Sequence, residues 1–180
     1  KLRVVMFSSW MDCQIAPEWC GLDRSILARI DHADGLDLEQ RLHAAFEAGL
    51  IVSDRTGFAF AHDRIQEAAY ELTPAAERGV EHARIARILL QDFDVHAVQQ
   101  SAFYLAHHIE RAQAAGALGD LDVNETTVFA RICLQAARHA KEAVAIQSAL
   151  GYIDVAQKLL DASGLDYVQT LSFDMGVLRV

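Results

Sequence analysis

Residues 58–70 read FAFAHDRIQEAAY, and the fold turns on this stretch. Phe58-Ala59-Phe60 alternates large and small side chains with the period of two that suits a strand. From Ile65 onward the apolar residues Ile65, Ala68, Ala69 and Leu72 recur at helical spacing instead. His62-Asp63 stands where one period gives way to the other. Asp63 is placed to cap the new helix, and Gln66 three residues on to complete a capping box.

Working towards the N-terminus, Leu50-Ile51-Val52 precedes a polar turn at Asp54-Arg55-Thr56-Gly57. Two short β runs around a glycine-containing turn predict a hairpin at Leu50–Ser53 and Phe58–Ala61. Before the hairpin, Asp37 is placed to cap a helix whose core face is Leu38, Leu42, Ala45 and Phe46, with Gly49 ending it. An earlier helix begins near Pro17, where a missing N–H costs nothing, and carries Trp19, Leu22, Ile26 and Ile30 as one stripe. Turn-forming residues from Asp31 to Gly35 separate the two. Residues 2–10 fit a short helix or a strand equally well. Helices followed by a hairpin give a winged-helix-like domain over residues 1–72.

Beyond Pro74, which marks a boundary, residues 73–180 read as a helical region like tetratricopeptide (TPR) repeats. One helix from about Ala75 to Leu90 presents Ile85, Ile88 and Leu89. Another from about Val95 to Ala115 presents Val98, Ala102, Leu105 and Ile109, and the loop Gly116 to Asn124 follows. Phe129, Cys133, Ala136, Ala140 and Val144 line a long alanine-rich face. Ala149, Ile153, Ala156 and Leu160 line the next, closed by Ser163-Gly164. Small residues at facing positions let helices stack closely. Residues 125–162 make one repeat-like pair, with further units expected beyond Val180 because arrays need about three. The expected fold is therefore mainly α, with one short β-hairpin.

Composition narrows the function classes. With 180 residues and 52% hydrophobic content the chain can build a real core. The net charge is −9, and both halves share it: 7 basic against 12 acidic residues through residue 72, and 9 against 13 beyond. Nucleic-acid binding needs clustered Lys and Arg, so nucleic acid is not an expected partner. No apolar run approaches the ~18–20 residues of a membrane span. Cys13, Cys20 and Cys133 form no C-x-x-C pair and read as reduced thiols of a cytoplasmic protein, a Cys13–Cys20 disulfide being the lesser option. The start at Lys1 and the apolar end at Val180 read as truncation at both ends.

His107-His108, with His82, His96 and His139, invites a metal-site reading. Adjacent helical side chains diverge by about 100°, so solvated helix faces fit these histidines better than a metal centre does. Arg138, Lys141 and Glu142 read as surface pairs, and Trp10 and Trp19 as core anchors. No serine, cysteine or carboxylate has an identifiable base partner, so no catalytic residue is assigned and this chain is not expected to be an enzyme.

FAFAHDRIQEAAY at 58–70, HARIARILL at 82–90, RHAKEA at 138–143 and ALGYIDVAQKLL at 149–160 occur in a telling order. Over most of residues 36–162 the chain resembles the STAND-type predicted-ATPase region of large multidomain bacterial signalling proteins. Those proteins join a serine/threonine-kinase-like domain, a signal-transduction ATPase, helical repeats and often a sensor histidine kinase. The resemblance implies a segment lying just after a nucleotide-binding core, with that core and protein partners as its contacts. ATP or ADP with magnesium is implied for the parent protein only, since the G-x-x-x-x-G-K-[ST] loop is absent from this sequence. In related STAND ATPases a winged-helix histidine followed by aspartate contacts the bound diphosphate. His62 and Asp63 resemble that pair and are the implied cofactor-binding residues.

Two other classes of function compete with a regulatory and scaffold role. One is a helical-repeat interaction module with no nucleotide role. The other is a DNA-binding winged helix, whose recognition segment, Leu38 to Ala48, would set Glu39 and Glu47 against Arg41 alone.

Overall fold

A computed structural model describes residues 24–31, 35–53, 58–92 and 102–164. The described residues are mainly helical, with a single two-stranded antiparallel sheet among them. Expectations for residues 2–10, Trp10, Cys13, Trp19, Cys20, Leu22, the turn 54–57, His96 and Val98 lie outside the described residues. Contacts divide the chain into two compact units, Lys1–Phe93 and Asp94–Val180.

The first unit contains α1 (Arg24–Asp31), α2 (Gly35–Glu47), β1 (Ile51–Ser53), β2 (Phe58–Phe60), α3 (Asp63–Glu71) and α4 (Ala75–Asp92). Its core gathers Leu27, Ile30, Leu38, Leu42, Ile51, Phe58, Ile85 and Leu89. The helix α2 starts at Gly35, so Asp37 lies inside its first turn and pairs with Arg41 rather than standing at the cap. At the other end Gly49 adopts φ +67°. That left-handed turn lets Gly49 N–H reach Phe46 O at 2.9 Å and Leu50 N–H reach Ala45 O at 2.9 Å, a Schellman ending.

The chain enters the hairpin at once. Ile51 faces Phe60 and Ser53 faces Phe58 across the ladder, which puts both phenylalanines on one side with Ile51. Ala61 N–H donates to Leu50 O at 3.0 Å, so pairing reaches the limits expected from sequence. Burial is uneven, however. Phe58 is buried, whereas Phe60, Ile65 and Ala69 are each only half-buried.

Three assignments of core residues are corrected here, the first being Ala68 of α3, which is exposed. Phe46 is 50% exposed because α2 turns only Leu38 and Leu42 fully inward. Leu72 is 80% exposed because it is the C-cap of α3, past the last turn that packs.

The compact unit also runs past the boundary expected at residues 72/73, because α4 packs on α1. Arg84 donates to Ile30 O at 2.8 Å, satisfying a carbonyl at the end of α1, and to Glu81 Oε2 at 2.8 Å. Arg29 adds a hydrogen bond to Gln91 Oε1 at 3.2 Å.

The second unit contains α5 (Ala102–Ala114), α6 (Val123–Glu142) and α7 (Ile146–Ser163). Asp122 caps α6, accepting from Glu125 N–H at 2.7 Å. Phe129, Cys133, Ala136 and Ala140 on α6 are all fully buried, and Ala149, Ala156 and Leu160 on α7 pack with them. Val144 does not continue that face. It sits in the turn between α6 and α7 with φ +61° and is 78% exposed. Ile153 is likewise exposed, on the far side of α7.

Candidate functional site

The His62-Asp63 pair lies where β2 delivers the chain to α3. His62 keeps the extended backbone of the strand, with φ −158° and ψ 144°. Its carbonyl nevertheless accepts the first helical bonds, from Ile65 N–H at 2.9 Å and Gln66 N–H at 3.2 Å. His62 is thus the N-cap, and Asp63 is the first residue of α3. This corrects the expected cap by one position. The reason is backbone geometry: the cap is the last non-helical residue, and the strand conformation persists through His62.

The imidazole completes the cap itself. Arg64 N–H donates to His62 Nδ1 at 3.2 Å. An Nδ1 that accepts must be unprotonated, so the neutral ring carries its hydrogen on Nε2. Both His62 and Asp63 are exposed. What the pair presents to a ligand is one outward N–H donor beside the positive end of a short helix. An ionised Asp63 has no donor for a phosphate oxygen. Of the two side chains, only that of His62 can therefore donate to an anion, while Asp63 favours the helix terminus it occupies.

The histidines expected on solvated faces are elsewhere. His82 is 1% exposed, with Nε2 3.3 Å from the Tyr70 hydroxyl. The Arg78 guanidinium sits 4.5 Å above the Tyr70 ring, and Arg78 Nε donates to Thr73 O at 2.8 Å, tying the α3–α4 corner together. His107 and His108 are 3% and 0% exposed. Their helix α5 is buried at Ala102, Leu105, Ala106, Ile109 and Ala112 as well, which leaves it no wide solvated face. The two rings stand 5.9 Å apart at 80°, diverging as neighbours on a helix must. His139 is half-buried, 2.7 Å from Gln135 Nε2 and 5.7 Å from the Phe103 ring. Sequence periodicity carried no signal for this burial, because histidine is polar in every hydropathy pattern.

No three His, Cys, Asp or Glu side chains come together as metal ligands among the described residues. Cys133 is fully buried, and burial, followed by the nearby Glu110 charge, pushes its thiol well above the usual range. A thiol so held is a packing group rather than a nucleophile. No helix among the described residues is long and apolar enough to cross a membrane. No protein-family model, curated protein or solved structure matches this chain.

Proposed function

We propose that this chain is a non-catalytic regulatory and scaffold segment of a multidomain signal-transduction ATPase, sensor kinase-like in its parent architecture and cytoplasmic. The hairpin unit reads the nucleotide held by an upstream domain of the same chain, and the helical unit holds a protein partner. The observation that carries this reading is His62. Its Nδ1 is engaged in capping α3, so Nε2–H is directed to donate to something outside the helix. A phosphate oxygen of ADP or ATP suits that donor, and the motif order of residues 58–160 supports the same class of parent protein. DNA binding fits less well. The exposed residues of α2 include Glu39 and Glu47, and its Arg41 is engaged by Asp37.

The test is calorimetric titration of the intact parent protein with ADP. His62→Ala should weaken ADP binding about ten- to a hundredfold, the worth of one hydrogen bond to a charged group, or raise basal signalling. His62→Thr keeps a cap acceptor but lacks the reach of the imidazole. It should preserve stability while losing the nucleotide effect. Equal affinity and equal basal output in both variants would sink the proposal.

The interaction-module reading has one observation in its favour. Ile146, Leu150 and Ile153 form an exposed apolar stripe on α7 at spacings of four and three. In that case the parent would show no dependence on nucleotide at His62.

A further inference from the structure

The helix α3 is short and thinly packed for an element inside a compact unit. It has nine residues, of which Gln66 alone is fully buried. Ile65, Ala69 and Tyr70 are half-buried, and the other five are exposed. A helix below ~12–15 residues does not persist by itself in water, so packing has to hold it. Little apolar burial is present to do so. The neighbouring α4, in contrast, is fully buried at Ala83, Ile85, Ala86 and Leu89.

What holds the C-terminal end of α3 is largely polar and comes from α4. The Arg78 guanidinium lies 4.5 Å above the Tyr70 ring. Arg78 Nε donates to Thr73 O at 2.8 Å and Nη2 to Glu71 O at 3.5 Å, carbonyls of the kind that a helix end leaves open. The Tyr70 hydroxyl lies 3.3 Å from Nε2 of His82, which is buried on α4. At its other end α3 continues from β2 through Ala61 and His62, and residues 72–74 join it to α4. Tied at both ends, it opens by unwinding in place. We propose that α3 is a strap that unwinds as a unit while α1 and α4 stay folded, with Arg78 on Tyr70 as its latch. Local unfolding takes the segments with fewest buried apolar contacts first. Opening dissolves the His62 cap, because Nδ1 has Arg64 N–H as its partner only while the first turn is wound. One consequence rests on the reading of His62 as the nucleotide contact: nucleotide binds the wound form and holds the strap closed.

Native-state hydrogen exchange of the ¹⁵N-labelled chain in low urea tests the strap without nucleotide. Amides of residues 67–71 should exchange about tenfold or more faster than those of Ile85 and Leu89, and with a weaker dependence on urea. Arg78→Met should speed exchange in α3 about tenfold and leave Ile85 and Leu89 unchanged. Tyr70→Phe keeps the ring under the guanidinium and should speed it about threefold. Equal urea dependence in α3 and α4, or equal acceleration of both helices in Arg78→Met, would overturn the proposal, since α3 would then open only with the whole unit. The nucleotide arm uses the intact parent protein, with exchange read by mass spectrometry. ADP at about ten times its Kd should slow exchange in α3 about tenfold. ADP bound through His62 without that slowing would overturn the link from nucleotide to strap. ADP affinity indifferent to His62→Ala would instead overturn the nucleotide reading, and the urea and Arg78 results would still decide the strap.

Discussion

Val144 holds φ at +61°, a conformation that costs a β-branched residue roughly 1–2 kcal/mol. Its N–H reaches Lys141 O at 3.0 Å, and Ala145 N–H reaches Ala140 O at 2.8 Å, the Schellman ending that Gly49 makes without strain on α2. Its side chain is almost wholly in solvent, so packing does not offset the strain. Val144→Gly should therefore raise stability by up to about 1 kcal/mol, less the extra freedom glycine gives the unfolded chain. Urea denaturation measures this directly, and a loss of stability would show the turn is held differently. Cys133 supplies a second expectation. Its folded-state thiol sits above the ~8.5 of the free group, so the unfolded chain releases that proton first as pH rises. The stabilisation is complete below about pH 8.5 and is lost progressively above it. Tyr104, also pushed up by burial, acts with the same sign at higher pH. Between pH 7.5 and 10 the chain should lose stability, and Cys133→Ala should lose less over the same interval.

At the scale of elements, the hairpin buries one phenylalanine rather than two. Phe58 is buried and Phe60 half-buried on the same face. Phe58→Ala should cost about 3–4 kcal/mol, and Phe60→Ala about half as much. A larger loss at Phe60, measured by chemical denaturation, would mean that the register Ile51–Phe60 is not the one in solution. Arg84 is a link between α4 and α1. Replacing it by methionine keeps much of the stem but removes the bond to Ile30 O. A loss of about 1–3 kcal/mol follows for a partly buried charged donor. An unchanged denaturation midpoint would show that apolar packing alone holds α4 in the first unit.

Over the whole molecule, the local grammar of the chain was legible in advance. Alternation at Phe58–Phe60 and helical spacing elsewhere determined a mainly helical chain with one hairpin, because backbone periodicity depends only on neighbours in sequence. Gly49 and Gly164 marked helix ends for the same reason: few other residues enter the left-handed region freely. Tertiary structure decided what such patterns leave open. A helical stripe specifies which residues share a face, but contact alone specifies how much of that face is covered. Hence Phe46 and Ile153 are exposed while His82, His107 and His108 are buried. The cap of α3 fell to His62 instead of Asp63 because the strand's extended backbone persists one residue further than side-chain preference indicates. Membership of α4 in the first unit likewise rests on long-range packing against α1, and no local pattern encodes a partner 54 residues away, as Arg84 is from Ile30.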